Sequence, residues 1–263
     1  MLTLVSTPIG NLKDISLRAL EALKECDCIL CEDTRHSKIL LNAHGIDRPL
    51  MSYHQFNEKK RIDELMERIE AGETFCLISD AGTPGICDPG QILIDACHDR
   101  GIAISIIPGP CAFASALAVC GFQYERAQFG GFLAKKEGER KMQLISALAY
   151  QGVSLFYETP HQIAKTLSDL EKLDAKRKIC LVRELTKKFE EVVRGTAKEL
   201  QSVNAKGEFC LVISKGEVDW SFEPKMFVKE LMQSFNLTVK DAIKIAADLG
   251  RISRQDLYRD WHS

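Results

Sequence analysis

The first half of the chain repeats one pattern four times: a short apolar run ends in a loop rich in glycine, proline or charge and then gives way to a helical stretch. The runs are LTLVS (2–6), CDCILCE (26–32), FCLISD (75–80) and IAISIIP (102–108). Strands that are apolar throughout, and separated by helices, belong to a parallel sheet covered on both faces. The intervening helices carry their own signals. Asn57 stands at an N-cap position, and Ile62, Leu65, Met66 and Ile69 form a one-sided stripe. Gly72 follows as a stop, as Gly45 and Gly101 do for the helices through 38–41 and 92–94.

A second series starts near Phe129: FGGFL, a helix over 142–149, VSLFYE, a helix over 161–173, KICLVREL, EVVRG, a short helix over 197–203, and EFCLVIS. Only a few residues separate KICLVREL from EVVRG, which predicts a hairpin and hence a mixed sheet. From Trp220 the pattern is helical only, with Phe227, Leu231, Phe235, Ala242, Ile243, Ala246, Leu249, Leu257 and Trp261 as its apolar positions. The expected organisation is an N-terminal α/β domain over 1–121, a C-terminal α/β domain over 126–219 and a helical extension over 220–263, joined near 121–128.

Composition narrows the function classes. With 35 Lys and Arg against 37 Asp and Glu the net charge is -2, so nucleic acid can be met only through a local patch and not through a chain-wide basic field. No stretch approaches the roughly 18 apolar residues of a membrane span. The opening MLTLV lacks a basic leader region and reads directly as a strand, so a cytoplasmic protein is expected. Ten cysteines are present, but Cys76, Cys180 and Cys210 lie inside apolar runs, which suits reduced, buried thiols better than a disulfide framework.

Ligands of open α/β sheets bind at the carboxyl ends of the strands, and the unusual residues fall there: TPIGN (7–11), EDTR (32–35), DAGTPG (80–85) and PGP (108–110). Glycine and proline let main chain approach a ligand closely, although any α/β fold needs turns. Neither G-x-G-x-x-G nor G-x-x-x-x-G-K-[ST] is present, which disfavours a dehydrogenase or a P-loop NTPase. Cys26, Cys28 and Cys31 near His36 invite a zinc reading. Strand alternation puts Cys26 and Cys28 on one side and Cys31 on the other, so no metal is expected. His54, His98 and His161 lack ligand spacing, and no G-x-S-x-G elbow appears. Basic residues cluster at Lys135, Lys136, Arg140 and Lys141 and again at Arg183, Lys187, Lys188 and Arg194, either as ordinary surface or as a phosphate-contacting patch.

Taken together, STPIGNLKDISLRAL, CEDTRHSKILL, SDAGTPGICDPG, IPGPCAFASAL, GGFLAKKEGER, FYETPH and RELTKKFEEVVRG resemble, in order and spacing over about 2–216, the ribosomal RNA small subunit methyltransferase I branch of the tetrapyrrole methylase superfamily. The resemblance implies S-adenosylmethionine as methyl donor, two α/β domains with the donor between them, and a homodimer. It also implies 2'-O-methylation of a decoding-centre cytidine in 16S ribosomal RNA of the small subunit. Carried over motif by motif, the donor touches Ile9, Ala81, Gly82, Thr83, Pro84, Ile86, Cys111, Ala112, Glu158 and Gly195. Ala134 stands where the family usually has proline, and Gln162 where it often has arginine. Proton acceptance and charge stabilisation at the attacking oxygen are expected from the rim, with Asp33 and Glu184, and also Glu32, as acceptors and Arg35 and Lys187 as stabilisers or phosphate clamps. The same carboxylates equally suit a loop-holding role. Two rival functions stand beside this one: C-methylation of a tetrapyrrole ring, and a non-catalytic RNA-binding protein on the same fold.

Overall fold

The computed structural model describes residues 1–217, 220, 223–249 and 253–262 and divides the chain into two compact units. The first comprises Met1–Ser115 with Leu185–Lys188, and the second comprises Ala116–Glu184 with Phe189–Ser263.

The first unit is a five-stranded, wholly parallel sheet in the order β3-β2-β4-β1-β5, formed by β1 (Leu2–Val5), β2 (Cys28–Cys31), β3 (Leu50–Ser52), β4 (Phe75–Leu77) and β5 (Ile104–Ile107). Every residue of β1, β2 and β4 is buried, because helices cover both faces. On one face Val5, Ile29, Cys31 and Cys76 pack against Ala19 and Leu23 of α1 (Leu17–Glu25) and Leu40 and Leu41 of α2 (Thr34–Ala43). On the other, Leu2, Leu4, Leu30 and Leu77 pack against Leu65, Met66 and Ile69 of α3 (Glu58–Glu70) and Leu93 of α4 (Gln91–Asp99).

Two sequence expectations need correction here. Cys26 is not a strand residue; it caps the end of α1, and it joins Cys31 on the α1/α2 face while Cys28 lies on the opposite one. Asn57 does occupy the N-cap of α3, yet its side chain caps no helical amide and accepts instead from His54 N at 2.8 Å.

The second unit is a mixed sheet, β6-β7-β10-β8-β9, built from β6 (Ala127–Phe132), β7 (Val153–Glu158), β8 (Lys178–Arg183), β9 (Glu191–Thr196) and β10 (Phe209–Ile213). Only β6 and β7 run parallel, and β8 and β9 form the expected hairpin. Phe156, Leu181 and Leu211 pack beneath α6 (Glu137–Ala149) and α7 (Ile163–Leu173) through Leu144, Leu148, Leu167 and Leu170. The outer side of α6, at Ile145 and Ala149, meets Trp220 and the helical tail α8 (Pro224–Phe235), α9 (Val239–Asp248) and α10 (Arg254–His262). No helix among the described residues is long and apolar enough to cross a membrane.

Candidate functional site

In the first unit the loops leaving β1, β4 and β5 are tied into one rim. Thr7 and Gly82 form an isolated antiparallel bridge, Thr7 N to Gly82 O at 2.8 Å and Gly82 N to Thr7 O at 3.0 Å. Thr7 Oγ1 also donates to Ser79 O at 3.2 Å. The Thr83 hydroxyl donates to Pro110 O at 3.3 Å, which leaves the Ser6 hydroxyl, 2.9 Å away, to donate to Thr83. Three loops far apart in sequence thus share one hydrogen-bonded seam. Gly82 sits at φ +87°, and a Cβ there would stand 3.5 Å from Ile9 Cγ2 and 3.8 Å from Pro110 O. The absent side chain keeps the space between the first and last of these loops open. Around it Ile9, Thr83, Ile86, Cys111 and Ala112 are half-buried, Gly82 and Pro84 are buried and Ala81 is exposed. Of the donor contacts expected in this unit, Gly82 and Thr83 take part in the seam itself and Ile9 stands against Gly82.

The carboxylates of the rim separate into two kinds. Asp33 is the N-cap of α2; it accepts from Arg35 N at 2.8 Å and pairs with the Arg35 guanidinium at 2.8 and 3.2 Å. These bonds hold its carboxyl down at about 2, which makes it a poor proton acceptor at neutral pH. Glu32 and Asp88 form the second kind. Burial and the charge of Asp80 raise Glu32, while burial, then the charge of Glu32 and that of Asp80, lift Asp88 to about 6 against the pull of the Ser79 hydroxyl. Asp88 is the rim carboxylate that sequence reasoning missed. Its signal is an aspartate set between two turns, in GICDPG, where it cannot point freely to water.

This raised value has a consequence for stability. A folded-state pKa above the ordinary carboxylate value means that the fold prefers the protonated group, so stability falls as pH rises through about 4 to 6. Asp88→Asn should gain on the native protein by about 2 kcal/mol between pH 4.5 and 7.5. Unfolding curves for both proteins at the two pH values, without donor, measure this, and a constant difference would contradict it.

Of the remaining expected residues, Lys187 belongs to the first unit, where its stem lies against Gly10. Glu184 counts with the second unit, at φ +50°; its Oε1 accepts from Glu208 N at 3.0 Å and its own N donates to Glu208 O at 2.9 Å, bracing the ends of β8 and β10. In the second unit Glu158 is buried, accepting from Thr166 Oγ1 at 2.6 Å and Thr159 N at 2.8 Å. Gly195 is buried in β9 against Glu199 and Leu200.

The basic clusters are thinner than the sequence suggests. Arg140 is buried, with Nε and Nη2 on Asp169 Oδ2 at 2.9 and 2.8 Å. Lys136 pairs with Glu139, Lys141 with Glu137 and Arg183 with Glu191. Arg194 lies 4.4 Å over the Phe122 ring. Lys135 remains exposed. Among the described residues no group of three or more His, Cys, Asp or Glu is placed to hold a metal ion.

Comparison with known proteins identifies the family. Residues 1–201 match the tetrapyrrole (corrin/porphyrin) methylases. The ribosomal RNA small subunit methyltransferase I of Halalkalibacterium halodurans is 39% identical over 99% of this chain and 94% of its own. That of Synechocystis is 40% identical over 98% and 96%. Among solved structures, the uroporphyrin-III C-methyltransferase of Thermus thermophilus shares the fold, with a TM-score of 0.57, 16% identity, and coverage of 81% of this chain and 94% of that one.

Proposed function

As the chain belongs to the tetrapyrrole (corrin/porphyrin) methylase family, in its ribosomal RNA small subunit methyltransferase I branch, we propose that it methylates the 2'-oxygen of a decoding-centre cytidine ribose in 16S ribosomal RNA. Like the family, it is an S-adenosylmethionine-dependent methyltransferase. The observation that supports the reading is the seam that ties loops from three distant segments together at the carboxyl edge of one sheet, with the expected donor contacts Gly82 and Thr83 in it. The residues present fit the donor in two respects. Gly82 leaves open the space that a side chain would close against Ile9 and Pro110 O. Glu32, Asp80 and Asp88 supply a negative field suited to a ligand bearing a sulfonium and an ammonium.

When bound, S-adenosylmethionine supplies an electrophilic methyl group that an incoming oxygen takes by in-line displacement. The protein's part is largely positional: well-aligned reactants gain about 7 to 11 kcal/mol from pre-ordering. Among the rim carboxylates that could accept a proton, Asp88 is the one that burial and the charge of Glu32 lift to about 6. Arg35, with 89% of its side chain exposed, can meet a phosphate while it restrains Asp33. The resemblance's homodimer is supported by α5 (Ala112–Val119), an apolar helix of which only Ala116 is buried.

The test is transfer of labelled methyl to purified small subunits and to naked 16S RNA, followed by mapping of the modified nucleotide. Label on a cytidine ribose is expected. Label on a base, transfer only to a tetrapyrrole, or none beside an active control would defeat the reading. Heat on titration with S-adenosylmethionine separates an enzyme from a purely RNA-binding protein.

A further inference from the structure

Strand β6 carries an anomaly. Phe129 stands opposite Leu155 and Phe132 opposite Tyr157, so three steps along β6 match two along β7. The extra residue is a bulge at Gly130–Gly131: Gly131 takes φ +66°, and Gly130 lies so close to the Phe156 ring that a Cβ would stand 2.9 Å from Cδ1. A one-residue slip exchanges the two faces of everything that follows. Phe132 therefore emerges on the face of Phe129, with both rings in T-shaped contact with Tyr157 at 5.4 and 4.8 Å between centroids, and it remains 54% exposed. Leu133 turns into the core instead. Without the bulge Phe132 would face α6 and α7, and Leu133 would take the side of Phe129 and Leu155.

The loop that follows is held from beneath. Buried Arg140 Nη1 donates to Lys135 O at 3.1 Å and Ala134 O at 3.5 Å, and Gln162 Nε2 to Leu133 O at 3.2 Å and Ala134 O at 3.4 Å. Ala134 N donates to Gln143 Oε1 at 2.8 Å, a bond that the family's usual proline could not make. The two departures from the family pattern, Ala134 and Gln162, thus join in one anchor. It presents Lys135, which is exposed and pairs with no carboxylate among the described residues, three residues from the exposed ring. An exposed aromatic ring with an exposed cation three residues further along the chain suits a nucleotide, with the base stacked and the adjoining phosphate neutralised.

We propose that Phe132 is a stacking platform for one unstacked base of the RNA substrate and that Lys135 holds the adjoining phosphate. This rests on the RNA-methylation reading and adds to it a named contact in the second unit. The experiment compares native protein with Phe132→Ala, Phe132→Leu, Phe132→Trp and Lys135→Ala. The readouts are anisotropy with a fluorescein-labelled oligocytidylate, kcat and KM on small subunits, and donor affinity by titration calorimetry. Loss of stacking in the Ala and Leu variants should raise KM about 5- to 100-fold, with kcat and donor affinity within about twofold to threefold of native, whereas Phe132→Trp restores binding. Emission of the Phe132→Trp variant should be quenched on RNA binding. Lys135→Ala should flatten the salt dependence by about 0.7 in log-log slope. Native protein that neither binds RNA nor methylates small subunits would remove the function itself. Active native protein together with Ala and Leu variants of unchanged KM, indole emission of Phe132→Trp that RNA leaves unquenched, or a Phe132→Ala defect confined to self-association would overturn this proposal alone.

Discussion

Arg140→Ala lowers the stability of the second unit by about 3 to 5 kcal/mol, the range for breaking a buried ion pair from one side. The reason is geometric. Both side chains are nearly closed to water, at 4% and 5% exposure, and both guanidinium bonds fall on the same oxygen, Asp169 Oδ2. Removing the cation strands the carboxylate in an apolar layer between α6 and α7 and releases the carbonyls of Ala134 and Lys135. Replacing both partners, as in Arg140→Met with Asp169→Leu, removes the stranded charge and should recover most of the loss. Trp220 reports the event, because it is buried in the cluster that includes Ile145 and Ala149 of the same helix. Urea titrations followed by its fluorescence measure the native protein and both variants. A single variant within about 1 kcal/mol of native, the ordinary scale of exposed pairs, would show that the pair is not effectively buried.

The second large effect is on activity. Gly82→Val should reduce methyl transfer by at least about 100-fold, the cost of misplacing reactants by about an ångström. At φ +87° a branched residue is strained wherever it points, and here it points between Ile9 and Pro110 O. The Thr7–Gly82 bridge must then shift, and the seam with it. Gly82→Ala, smaller but equally left-handed, should fall between native and Val. Calorimetry with S-adenosylmethionine is the direct measurement. Unchanged donor affinity in the Val variant would mean that the cradle lies elsewhere.

Much of this was readable in the residues, and the exceptions have physical causes. The four apolar runs became β1, β2, β4 and β5; the first three are buried on both faces and so apolar throughout, while β5 is an edge strand that exposes Ser105 and Ile106. β3 escaped notice because it is a three-residue, half-buried edge strand with no run to display. The short spacing after KICLVREL announced the β8–β9 hairpin, whereas the order β3-β2-β4-β1-β5 depends on long-range pairing that no local pattern encodes. At the site, glycine and proline marked rim loops that meet in the Thr7–Gly82 bridge. Charge was harder to read. Arg140 looks like surface until Asp169, 29 residues away, is seen to face it, and Asp88 acquires its character from Glu32 and Asp80. The glycine pair in FGGFL was a legible sign of a bulge, since strand interiors otherwise avoid it.

The central place of β1 bears on how the molecule is made. Leu2–Val5 lies between β4 and β5, pairing Leu2 with Phe75 and with Ile104. This apolar segment precedes both of its partners, so it must wait about seventy further residues for β4 and about a hundred for β5. Contacts of such span form slowly because loop-closure entropy is lost before they reward it. The β8–β9 hairpin closes between Arg183 and Glu191, a short step along the chain, and suffers no such delay. Nascent chains stalled between β4 and Ile104 would leave the β5 side of β1 unpaired, an apolar edge open to misassociation.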